Sequence, residues 1–316
     1  MNDKITYLEL SVVIPVFNEE DNIKLLHEKL TSSLKDINYE VIFIDDKSTD
    51  KSLNILEDIE KKDSHVTILR FAKNFGQSSA WDAGIKVSKG EYLVTMDADL
   101  QNDPADIPKL LRAIKTSDYD VISGWRKNRK DSFSKKLFSI FSNTIRRLFT
   151  DERIHDSGCS LKIYKRECFN KVNLYGEMHR YVASILSIEG YKIGEIQVNH
   201  HSRHAGKTKY GIKRLFKGSL DLFFIVFLTK YSSRPLHFFG GAGFLTFTIG
   251  FLIGLYTAIK KFIYGVDLLG RQTPILSMIL VIVGVQLLFF GVLAEILMRI
   301  YYKTYNMTPY LIKNKK

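Results

Sequence analysis

Cysteine is scarce in this chain: only Cys159 and Cys168 occur among 316 residues. Two thiols cannot build a disulfide framework, and no Cys/His zinc spacing surrounds them, so both are expected as ordinary reduced thiols. No Gly-x-Gly-x-x-Gly follows the first apolar strand, which disfavours a dinucleotide fold. No Gly-x-x-x-x-Gly-Lys-Ser/Thr occurs, which removes a P-loop nucleotide hydrolase. The N-terminal MNDKITYLELS carries no apolar signal core, so the first domain is expected to be made and kept in the cytosol. Charge is missing from two long windows, 25 residues over 235–259 and 23 over 272–294. Either can cross a hydrocarbon core of roughly 30 Å at about 1.5 Å per residue, and buried helices of soluble cores rarely run so long uncharged. Two transmembrane helices are the expectation.

The charge that is present is unevenly placed. Apolar residues at 45% and charged ones at 25% exclude a disordered chain. Residues 1–120 hold 15 basic and 23 acidic side chains, a net of −8, whereas residues 121–316 hold 31 and 11, a net of +20. A basic rear half implies an anionic partner. Lys207, Lys209, Lys213, Arg214, Lys217, Lys230 and Arg234 precede the first window, and Arg299, Lys303, Lys313, Lys315 and Lys316 follow the second. The connection between the windows carries only Lys260, Lys261 and Arg271, with Asp267. The positive-inside bias therefore places both termini in the cytoplasm.

The front of the chain alternates strand and helix. LSVVIPV (Leu10–Val16) is an apolar strand leading into Asn18-Glu19-Glu20, and a helix follows over about 21–35 with Ile23, Leu26 and Leu30 on one side. YEVIFI (Tyr39–Ile44) is a second buried strand ended by Asp45-Asp46. Ser48 and Asp50 stand as N-cap material for a helix over 51–61. Further strands are expected at 66–71 and 91–96, with a helix near 78–87 between them. This alternation predicts an α/β protein with a doubly wound, mostly parallel sheet, whose ligands sit at the carboxyl ends of the strands. Asn18, Asp46 and Asp97 all fall there.

The sharpest motif is MDADLQNDP, residues 96–104. Carboxylates at i and i+2 of an extended segment point the same way. Just beyond a buried strand, Asp97 and Asp99 would repel unless a cation lay between them. Oxygen donors of this kind suit Mg²⁺ or Mn²⁺, which also bind phosphate oxygens. Asp-x-Asp alone is common, and a solvated turn is the plain alternative; the position after a strand favours the metal.

Seven segments in order, VVIPVFNEE, FIDDKSTD, NFGQSSAWDAG, MDADLQNDP, GWRKNRKD, DSGCSLKIYKR and AGKTKY, span residues 11–211. Together they resemble the family-2 glycosyltransferases, and within them the membrane-bound polyprenyl-phosphate enzymes related to dolichol-phosphate mannose synthase. Bacterial members that glycosylate undecaprenyl phosphate and carry two C-terminal membrane helices are the nearest in layout.

The resemblance implies a GT-A-like fold and a set of site residues. Pro15, Asn18 and Glu19 match the first nucleotide-contacting loop, Asp46 the acid that binds base or ribose, and Gln77 falls in the third segment on the nucleotide-sugar side. Asp97, Asp99 and Gln101 match the metal and diphosphate site. Arg126 matches a basic residue near the diphosphate and the acceptor phosphate, and Asp156 the acid near the reacting centre. Arg203 and Lys209 match a basic loop that closes over the site. A lipid phosphate acceptor is already anionic near neutral pH, so Asp156 is as well suited to orienting an Arg or the sugar hydroxyls as to acting as a base. A divalent cation with Arg and Lys donors would neutralise the departing diphosphate.

Two other stretches read as interfacial. Residues 133–149 place Phe133, Leu137, Ile140, Phe141, Leu148 and Phe149 roughly on one helical face, with basic and polar residues mostly on the other. Residues 213–229 are basic first and apolar later. Beside real spans, such helices lie in the headgroup plane, although an ordinary core helix has the same pattern. Glu295 inside the second span has Arg299 as an i+4 partner. Gly240, Gly241, Gly243, Gly250 and Gly254 suit close helix packing, and a homo-oligomer through the membrane helices is expected. His200, His201 and His204 lack the carboxylate or Cys pattern of a metal site.

The expected layout is a cytoplasmic catalytic domain over 1–211, a juxtamembrane helix over 212–234, two spans over 235–301 and a basic tail over 302–316. The expected activity is inverting transfer of one sugar from a nucleotide sugar, UDP-linked hexose or N-acetylhexosamine, to undecaprenyl phosphate at the cytoplasmic face. A flippase downstream is implied, and no nucleic-acid partner. A processive polysaccharide synthase would carry Gln-x-x-Arg-Trp and more spans, neither of which is present. A non-catalytic lipid-carrier binding protein would show a degraded metal motif, and Asp97, Asp99 and Gln101 are intact.

Overall fold

The computed structural model describes residues 8–127, 154–156, 158–170, 172–201, 234–265, 267 and 272–304. The chain divides into two compact units, Met1–Ile225 and Val226–Lys316, each described by itself. The candidate interfacial helices at 133–149 and 213–229, with Arg203, Lys209 and the tail 305–316, lie outside the described residues.

In the first unit β1 (Leu10–Val16), α1 (Ile23–Leu34), β2 (Tyr39–Asp45), α2 (Ser52–Glu60), β3 (Val66–Arg70), α3 (Gln77–Val87) and β4 (Tyr92–Thr95) alternate as the apolar pattern predicts. Then come α4 (Ile107–Thr116), β5 (Val121–Trp125), β6 (Lys162–Lys165), α5 (Val182–Ile188) and β7 (Ile193–Gln197). The described strands form one sheet in the order β3-β2-β1-β4-β6-β5-β7. All neighbours are parallel except β6, which runs antiparallel to both β4 and β5. The sheet is thus mixed, though mostly parallel.

Sheet faces follow from the strand pattern. Leu10, Val12, Ile14 and Val16 alternate along β1 into a core with Ile23, Leu26, Leu30 and Leu34 of α1 and Ile107, Leu110, Leu111 and Ile114 of α4. The other face is covered by α3, which approaches so closely that a Cβ on Gly84 would lie 2.4 Å from Val13 Cγ1 and 2.8 Å from Ile44 Cδ1. Both faces are therefore covered, as near-continuous apolar strands require.

One local expectation is revised. Helix α2 starts at Ser52, after Lys51, which makes no side-chain capping bond. Asp50 supplies the cap one residue early, accepting the Ser52 N–H at 2.9 Å. Ser48 does not cap; its Oγ accepts the N–H of Asn18 at 3.1 Å.

The second unit contains α6 (Pro235–Phe262) and α7 (Thr273–Thr304), both long and apolar enough to cross a membrane. Only 11% and 17% of their most apolar stretches are buried, which marks them as membrane helices rather than the core of a soluble domain. They pack antiparallel through glycines. A Cβ on Gly243 would lie 2.8 Å from Gly284 O, one on Gly250 2.8 Å from Val281 N, and one on Gly254 2.6 Å from Ser277 Oγ. These three glycines thus serve packing within one chain, whereas a Cβ on Gly241 would meet nothing within 4 Å. Glu295 accepts from Arg299 Nη2 at 3.4 Å, the i+4 pair expected from their spacing.

Candidate active site

Of the sequence-predicted residues, Pro15, Asn18, Glu19, Asp46, Asp97, Asp99 and Gln101 lie at the carboxyl ends of β1, β2 and β4, Gln77 begins α3 and Arg126 follows β5. All three non-glycine residues with positive φ among the described residues lie in the loops after β1, β2 and β4: Asn18 (58°), Lys47 (64°) and Leu100 (60°). Strained backbone of this kind persists where surrounding contacts over-determine it. Here the contacts are visible. Asn18 Oδ1 accepts the Thr49 N–H at 2.8 Å, the Glu19 N–H donates to Ser52 Oγ at 2.9 Å, and the Lys51 N–H donates to Glu20 Oε2 at 2.9 Å. These bonds staple the β1 loop to the β2 loop. Pro15 is the penultimate residue of β1, opposite Ile44, and Glu19 Oε2 accepts from Asn22 Nδ2 at 2.6 Å.

Asp46 has a further task. Its two carboxylate oxygens accept the N–H groups of Phe75 and Gly76 at 2.7 and 2.9 Å. Gly76 has φ 89°, a left-handed turn that leads directly into α3. Asp46 therefore fixes the start of α3, and with it Gln77, whose Nε2–H donates to Asp97 Oδ1 at 2.6 Å.

The chain bends at 98–100, so the pairing of Asp97 with Asp99 does not rest on an extended segment. The two carboxylates nevertheless sense each other. Burial, and then the charge of Asp99, push the Asp97 carboxyl above the usual carboxylate range, against the pull of Ser160, Arg126 and Lys162. Asp99 itself is buried, and its Oδ1 accepts the Gln101 N–H at 3.2 Å. The Gln101 carbonyl accepts the His201 N–H at 2.9 Å, tying this loop to the segment after β7.

A divalent cation fits this donor set. Two carboxylates held in mutual repulsion, with a carboxamide residue two positions on, supply hard oxygen donors, and a cation would relieve the cost of ionising Asp97. Among the described residues no three His, Cys, Asp or Glu side chains converge on one point. Mg²⁺ and Mn²⁺ suit that number of protein ligands, because they keep positions for water and for substrate phosphate.

Arg126 and Asp156 form a second centre. The guanidinium meets the carboxylate through Nε–Oδ2 at 2.6 Å and Nη2–Oδ1 at 2.9 Å, and the Arg126 N–H donates to Oδ2 at 3.3 Å. Both side chains are nearly buried, 9% and 11% exposed. Burial alone would lower the Arg126 pKa, but the bonds and charge of Asp156 outweigh it and raise it. Arg126 also lines a cavity of about 180 Å³, walled by Gln197, Val198, Asn199, His200 and His201. Asp156 thus orients an Arg in this structure, one of the two roles its position allowed.

Several residues here carried no sequence signal. Lys162, in the central strand β6, is 1% exposed and its Nζ meets the carbonyl of Cys159. Asn102 Nδ2 donates to Ser160 Oγ at 2.7 Å and Thr95 Oγ1 to the Ser160 carbonyl at 2.9 Å. This buried polar network joins 95–102 to the 159–162 segment. His179 and Ser78 meet at 2.8 Å, holding the 172–181 segment against α3. Glu195 in β7 binds the backbone of His155 and Asp156.

The first unit thus combines a mixed sheet of this order with acids at the strand ends and a buried arginine beside them. The family model for Glycosyl transferase family 2 matches residues 11–172, and the chain belongs to that family. A curated relative, dodecaprenyl-phosphate galacturonate synthase of Rhizobium johnstonii, is 38% identical over 99% of this chain and 94% of its own length. Undecaprenyl-phosphate 4-deoxy-4-formamido-L-arabinose transferase of Proteus mirabilis is 32% identical, covering 93% of this chain and 89% of its own. Among solved structures, mannosyl-3-phosphoglycerate synthase from Rubrobacter xylanophilus matches with a TM-score of 0.54 at 14% identity, over 69% of this chain and 73% of that one. Glucosyl-3-phosphoglycerate synthase from Mycobacterium tuberculosis, solved with Mn²⁺ and uridine diphosphate, gives 0.52 at 16% identity, over 69% and 77%. These structures share the GT-A-like fold. The protein is a glycosyltransferase with two C-terminal membrane helices.

Proposed function

We propose that this enzyme transfers one sugar from a UDP-linked hexose or N-acetylhexosamine to undecaprenyl phosphate at the cytoplasmic face of the membrane. The observation that carries the reading is the closeness of two charge centres at the carboxyl ends of β4 and β5. The Asp97–Asp99 pair suits a cation on a diphosphate, and Arg126, held by Asp156 at the cavity wall, suits a phosphate. The two relatives, one named for dodecaprenyl phosphate and the other for undecaprenyl phosphate, support a polyprenyl-phosphate acceptor. The two apolar helices support a membrane-resident substrate.

In this reading a lipid phosphate oxygen attacks the anomeric carbon as the bond to the nucleoside diphosphate breaks, inverting the centre. Mg²⁺ or Mn²⁺, when bound, would neutralise the departing diphosphate. Asp97 and Asp99 would hold the ion with Gln101, and Gln77 orients Asp97. Pro15, Asn18, Glu19 and Asp46 shape the nucleotide pocket from the stapled loops. Arg126, with Arg203 and Lys209, binds the phosphates; no proton need be removed from the acceptor, so Asp156 serves by orienting Arg126. The basic flanks and the 133–149 stretch hold the site at an anionic lipid surface. A second copy of the chain and a flippase complete the expected partners.

The test is a panel of radiolabelled nucleotide sugars offered to purified protein with undecaprenyl phosphate and Mn²⁺ or Mg²⁺. The panel includes UDP-glucose, UDP-N-acetylglucosamine and UDP-galacturonate, the last because of the relative's galacturonate. One donor should yield a chloroform-soluble labelled product that depends on the lipid phosphate. A long water-soluble polymer would instead indicate a processive synthase.

A further inference from the structure

Glu195 lies in β7, an edge strand of the sheet, yet its side chain is only 12% exposed. Oε1 accepts the backbone N–H of Asp156 at 2.8 Å and that of His155 at 2.9 Å. Oε2 accepts the same His155 N–H at 3.0 Å and meets the His155 Nδ1 at 2.8 Å. Each of these bonds goes to the two residues that face β5. There, Trp125 stacks on the His155 ring with centroids 4.7 Å apart, and Arg126 pairs with Asp156. Strands β5 and β7 are parallel neighbours, with Glu195 opposite Ser123. No bond joins Glu195 to Arg126 directly; Asp156 stands between them.

The chemistry explains why a carboxylate is needed. Two adjacent backbone N–H groups converge on the Glu195 carboxylate, whose oxygens accept both, and the His155 Nδ1 meets the same group. Held this way, residues 155–156 cannot turn, so the Asp156 carboxylate stays aimed at the guanidinium. A flexible Arg then presents its remaining N–H groups toward the cavity without losing further side-chain freedom. We propose that Glu195 is a positioning residue that acts through Asp156 to fix the phosphate-binding orientation of Arg126. The proposal rests on the assignment of Arg126 to substrate phosphate made above.

A glutamine at 195 keeps the shape and one oxygen for the two backbone N–H groups, but puts an N–H₂ group where Oε2 accepts the second bond from His155 and meets its ring, which loosens the hold on residues 155–156. The experiment compares Glu195→Gln, Asp156→Asn, the double variant and Arg126→Gln in the full chain, purified in detergent. Each is assayed with undecaprenyl phosphate and the panel donor that the wild type turns over. Glu195→Gln should lower kcat about a hundredfold, the cost of misplacing a catalytic group by about 1 Å. The KM for the nucleotide sugar should change far less than kcat. The double variant should match Asp156→Asn alone to within about twofold. If the two losses multiply, or if KM rises while kcat holds, Glu195 serves only the fold and the proposal falls. If Arg126→Gln loses turnover while Glu195→Gln does not, the positioning role falls and the assignment of Arg126 stands. Wild-type turnover by Arg126→Gln would overturn both. Should Glu195→Gln not fold, Glu195→Asp, which keeps the charge one methylene short, runs the same cycle with a smaller loss.

Discussion

Gln77 and Asp97 are joined by a 2.6 Å bond from the first residue of α3 to the acid just beyond β4. The bond helps fix the plane of the Asp97 carboxylate, which Ser160 also contacts. Partners behind metal-binding carboxylates typically account for 10–100-fold in metal affinity. Gln77→Ala should therefore weaken Mn²⁺ binding by about tenfold or more, read by titration of the free-ion EPR signal, while the thermal midpoint without metal changes little.

Asp97 also predicts a pH dependence. Its folded carboxyl titrates above the usual carboxylate range, through burial first and Asp99 second. A raised folded value means that the neutral form favours the fold: this contribution is full below the ordinary carboxylate pKa and is lost as pH rises through the raised value. In EDTA, Asp97→Asn should therefore be more stable than the wild type at neutral pH and should lose that advantage near about pH 4. Mn²⁺ should raise the wild-type midpoint at neutral pH and have no effect on it at the acidic end. Thermal scans across pH, with and without metal, measure both.

The Arg126–Asp156 pair separates geometry from charge. Arg126→Ala strands a nearly buried carboxylate and should cost about 3–5 kcal/mol, seen as a lowered unfolding midpoint. Arg126→Lys keeps a positive charge, so its midpoint should fall less. Its transfer rate should still drop at least about tenfold, because one ammonium cannot reproduce two parallel N–H bonds.

Helix pairing in the second unit gives a paired contrast. A Cβ on Gly284 would lie 2.5 Å from Phe247 N, whereas one on Gly241 would meet nothing within 4 Å. Gly284→Leu should separate α6 from α7 and lower the yield of detergent-stable protein, and Gly241→Leu should leave it unchanged. Fluorescence-detected size exclusion of the two variants reads the difference.

Legibility in the sequence tracked how local each determinant is. Strands β1 and β2 are continuous apolar runs, and the acids that end them fall at the site by topology alone. The metal pair follows from the same logic, although the bend at 98–100 was not readable. The later strands, β5 to β7, carry no comparable signal. Strand β6 lies far along the chain from its neighbour β5 and carries a buried Lys162 that no apolar alternation would assign to a central position. Glu195 was silent because its role is to bind backbone 39 and 40 residues away. His200 and His201 carry no metal-ligand pattern in sequence; in the structure both line the cavity beside Arg126, and His201 pairs with Asp103 at 3.1 Å.

The central claim is that the acids after β4 serve sugar transfer to a lipid phosphate. Its most direct test is the labelled nucleotide-sugar assay with undecaprenyl phosphate, run on the wild type and on Asp99→Ala, with membrane insertion and thermal midpoint checked for both. The account predicts a chloroform-soluble product from the wild type and none above background from a folded, inserted Asp99→Ala. Near-normal turnover by that variant would contradict it.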